Sequence, residues 1–249
     1  MDHDASTKTA IRDFNVLAFS SKRAGKKDVE ANAYVSLGVI YDNQKNYKQA
    51  NEQYMLYLSL TDEIGDILGS ACACNSLGVN YSLMACPPTD AGTLLGAFRA
   101  GQASIQYLEQ AIYYHTKHLE IGPDPGGRFV ANTNLGLCYG ILGDTHKAAK
   151  HHQDALRTAI QMQTLYGQSI AVGNLGMLAL VREDFQTSRT CFQQHLQLVQ
   201  TLSDPPAEVI AWIMISKIAK AQGSIGDALE SLERARAIAE KEHLVNELR

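Results

Sequence analysis

Six of the eight histidines, His115, His118, His146, His151, His152 and His195, fall in segments whose apolar residues recur at helical spacing. His115 and His118 are three apart, which sets two imidazoles on one helix face, as metal ligands are set. No carboxylate or cysteine nearby completes a ligand set, and no metal is expected. His115 and His152 also share the phase of Tyr54 and Phe192, an inter-helix packing position, so packing is the expectation for them. Cys72 and Cys74 are two apart and point apart on a helix, which excludes a redox pair. The five cysteines show no framework spacing. Cys72, Cys74, Cys138 and Cys191 read as buried free thiols of a reducing compartment. No G-x-S-x-G, H-E-x-x-H, G-x-G-x-x-G or P-loop is present, and the carboxylates are scattered. The residues point to no enzyme and no cofactor.

The chain has 249 residues, 45% hydrophobic and 19% charged, enough for a core with a polar surface. With 7% aromatics and six prolines it reads as helical. A net charge of −4 gives no basic footprint, so no nucleic acid is expected. No apolar run approaches the roughly 20 residues of a membrane span, so no membrane insertion is expected. Met1–Asp2–His3–Asp4 carries no signal-peptide pattern, and the expected location is cytoplasmic, with cytoskeletal association left open.

The elements that position these residues repeat. Ser36–Leu37–Gly38, Ser76–Leu77–Gly78, Asn134–Leu135–Gly136 and Asn174–Leu175–Gly176 share one pattern. The step from Gly38 to Gly78, and from Gly136 to Gly176, is 40 residues. A tyrosine follows at Tyr41, Tyr81 and Tyr139, and a small residue further on at Ala50, Ala148 and Ser188. A fixed period of this size signals an array of stacked units. The first helix, 4–23, carries Ala10, Phe14 and Leu17 where the next repeat has Ala50, Tyr54 and Tyr57. It reads as the second helix of a repeat lacking its first. Repeats follow over 29–249, with Asn46 a candidate N-cap. The second repeat is interrupted at 86–101, where Pro87–Pro88 ends the helix and an exposed insertion is expected. Ala111 then takes the place of Ala50. In the last repeat Ser216 replaces the glycine. Both ends fall inside a repeat, so a complete protein and a fragment are equally open.

This pattern resembles the tetratricopeptide repeat, and the 40-residue unit is similar to the subclass in LGN/Pins adaptors and kinesin light chains. The resemblance implies an all-α, right-handed α-solenoid of about five helical hairpins. The conserved-looking glycines and alanines would sit where the two helices of a hairpin cross, and the tyrosines would pack between units. It further implies a concave groove lined by the first helix of each hairpin. In phase with the glycines, the groove positions are Asn134, Leu137 and Ile141, then Ile170, Asn174, Met177 and Val181, then Ile213, Lys217 and Lys220. That surface suits a protein or peptide partner, a helix or an extended segment whose backbone bonds to Asn134 and Asn174. The plainer alternative is that these residues pack against neighbouring helices. Val35 and Val39 stand where a carboxylate-gripping co-chaperone would need lysine and asparagine. The reading is a protein-binding scaffold; a ligand-sensing regulatory arm and a cytoskeletal or ciliary subunit are the alternatives. The oligomeric state is not indicated.

Overall fold

The computed structural model describes residues 2–86, 104–122 and 124–244. The fold is all-α, of the α-solenoid class, with eleven helices and no strand among the described residues. They are α1 (Asp2–Arg23), α2 (Lys27–Asn43), α3 (Tyr47–Ile64), α4 (Ile67–Ala85), α5 (Ile105–Ile121), α6 (Pro125–Ile141), α7 (Thr145–Gln161), α8 (Leu165–Val181), α9 (Phe185–Thr201), α10 (Pro205–Ala221) and α11 (Ile225–Lys241). They form two compact units, divided between residues 127 and 128. In the first, α1 precedes the hairpins α2/α3 and α4/α5. In the second, α6/α7, α8/α9 and α10/α11 follow one another. The expected insertion at 86–101 lies, apart from Cys86, outside the described residues, as do 245–249.

From α6 onward every helix has 17 residues. Each turn closes through one residue at positive φ, one in every 20: Gly143, Gln163, Glu183, Ser203, Gly223 and His243. Gly25, Lys45 and Gly65 mark the same positions in the first unit. At Gln163 the Thr164 N–H reaches back to the Ala159 carbonyl at 3.1 Å, which satisfies an end carbonyl of the helix. At six of these turns the following residue caps the next helix: Asn46, Asp66, Asp144, Thr164, Asp184 and Asp204 each accept a backbone N–H three residues on. Lys26 and Ser224, after Gly25 and Gly223, make no such bond. The left-handed turn thus recurs with each half-unit and the cap with most of them, which fits the regular period.

The glycines sit at the helix crossings, and what fills the space is a ring. A Cβ on Gly38 would stand 2.6 Å from the Tyr54 ring, and one on Gly78 2.5 Å from His115. On Gly136 it would stand 2.4 Å from His152, and on Gly176 3.0 Å from Phe192. Ala50, Ala111 and Ala148, one turn before each ring, are fully buried. Where a serine replaces one of the small residues, its hydroxyl bonds across the hairpin. Ser188 Oγ donates to the Gly176 carbonyl at 2.8 Å, and Ser216 Oγ to the Ala228 carbonyl at 2.9 Å. The tyrosines stack within their own hairpins: Tyr81 on Tyr114 at 5.7 Å between ring centroids, Tyr139 on His151 at 5.5 Å.

Leu17 is 38% exposed, whereas its counterpart Tyr57 is buried between α3 and its neighbours. A buried polar network joins the first two hairpins. Asp42 accepts from the Tyr54 hydroxyl at 2.6 Å and from Asn80 at 2.7 Å, and Asn80 also donates to Asn51. No disulfide joins the cysteines among the described residues; Cys74 and Cys138 are buried as expected, but Cys191 is only half-buried and Cys72 is exposed. It falls on the outer side of α4, one residue either way from the buried Ala71 and Ala73.

Candidate partner-binding face

All ten sequence-predicted groove residues lie in the second unit, on α6, α8 and α10. The strip at i, i+7 and i+11 of each helix falls on one face. On α6 it is Val130, Leu137 and Ile141; on α8, Ile170, Met177 and Val181; on α10, Ile210, Lys217 and Ala221. Val130 is 37% exposed, Val181 45% and Ile210 49%. Leu137, Ile141, Ile170 and Ile213 are half-buried, and Lys217 and Lys220 are exposed. The face is therefore largely aliphatic, with cations on α10.

Two of the ten do not stand on an open surface. Met177 is buried in a cluster with Phe192 and Leu196 of α9 and Ala211, Met214 and Ile215 of α10. Asn174 is 7% exposed, so the expectation that its amide meets solvent fails. It lies one turn before Met177 on α8. Asn134, one unit earlier, is half-buried. Sequence phasing treats the two asparagines alike, and the period does not encode the difference.

The histidines divide. His115, His118 and His152 are buried, His151 and His195 half-buried, and His146 exposed. Among the described residues no hydrogen-bond partner meets either ring nitrogen of His115 or of His152, or Nδ1 of His118. Burial pushes His115 and His152 down to about 4, so both rings are neutral near pH 7. His151 pairs with Asn132 at 2.9 Å, and His195 Nδ1 lies 3.0 Å from the Ser169 hydroxyl. Among the described residues no group of three or more His, Cys, Asp or Glu is placed to hold a metal. No described helix is long and apolar enough to cross a membrane.

Residues 31–63, the α2/α3 hairpin, match the tetratricopeptide repeat family model. No curated protein sequence matches the chain. Among solved structures the chain is similar to BtubC (BKLC) from P. vanneervenii, at 17% identity and a TM-score of 0.72, over 96% of this chain and 90% of that one. A Rap protein complexed with competence and sporulation factor aligns at 16% identity and a TM-score of 0.58, over 96% of this chain and 66% of that one. A putative kinesin light chain with nearly identical TPR-like repeats, from P. anserina, aligns at 13% identity and a TM-score of 0.61, over 85% and 95%. These likenesses are of fold.

Proposed function

We propose that the chain is a protein-interaction adaptor whose aliphatic face on α6, α8 and α10 receives an apolar helix or extended peptide of a partner protein. The observation that carries this reading is that each first helix of the second unit presents an exposed β-branched residue on this face, Val130 and Ile210 near the helix start and Val181 at the helix end. Exposed aliphatic side chains spread along one face of several elements are what a docking segment with apolar anchors needs. Lys217 and Lys220 at the α10 end suit a partner segment with an acidic end. The 40-residue step keeps the likeness to the LGN/Pins subclass as our reading of its lineage, and the cytoplasm as its place.

The test is capture of partners by tagged protein, with Val181→Asp plus Ile210→Asp as the control. Both side chains are about half exposed, so the thermal melt should stay within a degree or two. Partners seen with the native chain should be lost. Retention of every partner by a folded double variant would move the binding surface elsewhere.

A second reading has one observation in its favour. The chain spans 66% of the Rap chain it resembles, and that protein is seen in complex with competence and sporulation factor. A peptide-sensing regulatory arm would use the same face. A cytoskeletal subunit is the third reading, supported by the likeness to the kinesin light chain repeats.

A further inference from the structure

In the first unit the end of α1, the start of α2 and the second half of α3 line a cleft of about 340 Å³. Its charged lining is Lys22, Lys27, Glu30 and Glu63, and its apolar wall is Leu56 and Leu60. Lys27 and Glu63 pair with each other. Lys22 and Glu30 do not pair with anything of opposite charge among the described residues.

Three observations make this a site rather than a dent. First, Glu30 is 6% exposed, and its one hydrogen bond is from the Tyr34 hydroxyl at 3.2 Å. No cation of the described residues stands against this buried carboxylate, and a buried charge calls for a partner of opposite sign. Second, the positions of Lys22 and Glu30 close on each other elsewhere in the array. Their counterparts one repeat on, Asp62 and Ser70, are bonded at 2.6 Å, and Gln200 and Glu208, in the same register, at 2.8 Å. In the first repeat, residues of opposite charge occupy these positions, yet both line a cleft and stay apart. Third, α2 begins without a cap. Lys26 stands where Asn46, Asp66, Asp144, Thr164, Asp184 and Asp204 cap their helices, and it makes no side-chain bond to the backbone; the starts of α5 and α11 also lack that bond but keep a serine there. Gly25 and Lys27, on either side of it, line the cleft. An uncapped helix start favours an anion. Asp28, in the same turn, is exposed and does not line the cleft.

We propose that this cleft binds a small zwitterion, an α-amino acid with an aliphatic side chain. Its ammonium would meet Glu30, its carboxylate Lys22 and the uncapped start of α2, and its side chain Leu56 and Leu60. The volume is at the low end of small-molecule sites, about 300 to 1,000 Å³, which suits a single amino acid better than a peptide.

Titration of the full chain with L-leucine, followed by two-dimensional amide NMR, tests this. Saturable shifts within residues 22–34 and 56–63 are expected, with a dissociation constant of about 1 mM or tighter. L-leucinamide lacks the carboxylate and N-acetyl-L-leucine lacks the ammonium; each should bind at least about tenfold more weakly. Glu30→Gln should weaken leucine by about the same factor with its helical spectrum unchanged. Lys26→Asp supplies the missing cap and should weaken it too. No saturable binding of leucine would overturn the proposal, as would equal binding of N-acetyl-L-leucine or undiminished binding by Glu30→Gln. If Glu30→Gln fails to fold, the two blocked ligands decide on the native chain.

Discussion

The imidazole of His152 occupies the space that any side chain on Gly136 would need: a Cβ there would stand 2.4 Å from its Cε1. The ring is not the free end of a flexible chain. It is 1% exposed and held between helices. Gly136→Ala should therefore cost about 1–3 kcal/mol, read as a lower urea midpoint. Adding His152→Ala should recover part of that loss, because the second change opens the space the first one needs. Equal, additive losses would mean that the two residues do not compete for one volume.

Acid should weaken the fold through the same ring. His115 and His152 are held at about 4, against 6.5 for an unburied imidazole, so the folded chain prefers the neutral form. Their contribution is complete above pH 6.5 and is lost as pH falls towards 4, by at most about 1.4 kcal/mol per unit for each ring. Burial moves His118, His151 and His195 the same way. Urea midpoints at pH 7.5, 6 and 5 should fall in that order. His152→Phe, which installs the ring that Phe192 provides in the next hairpin, should remove one ring's share of the slope.

Gln163, Glu183 and Ser203 hold φ between 54° and 59°, where L side chains are strained by about 1–2 kcal/mol. Replacing all three by glycine should raise the melting temperature, since the relief exceeds the added freedom of the unfolded chain. Gly143→Ala and Gly223→Ala should lower it. A triple variant less stable than the native chain would show that these side chains make contacts worth more than the strain.

Asn134 and Asn174 should part company. Asn174→Ala empties a position that is 7% exposed and should lower stability by about 1–3 kcal/mol, whether or not a partner is present. Asn134→Ala, at a half-buried position, should change the melt by less than half as much. Matching melts for the two would return Asn174 to the open face.

Much of this was legible in the sequence for identifiable reasons. Gly38, Gly78, Gly136 and Gly176 mark the crossings because only a missing Cβ admits the ring, so the residue type carries the information. Asn46 could be read as a cap because its chemistry is local. The turns at Gln163, Glu183 and Ser203 could not be read, since none of these residues announces a left-handed backbone and the turn is imposed by the helices on either side. The burial of Met177 depends on α9 and α10, and no pattern within α8 reveals it or the burial of Asn174. The phase comparison pairs Leu17 with Tyr57 but does not show that Leu17 is exposed while Tyr57 is buried. The cleft around Glu30 escaped notice because it rests on departures from the repeat.

The even spacing of the left-handed turns gives the chain a reading frame in three dimensions. Gln163, Ser203 and His243 bring the backbone to the same angle at the same point of the hairpin. A splice from one to the next would remove or add a whole hairpin and meet unchanged geometry at the joint. A change of 20 residues would keep the turns but set glycine against glycine and ring against ring. Any other length would break both rules. The array can thus grow or shrink only in steps of one hairpin, which makes its length a quantity that recombination can alter without redesigning a single contact.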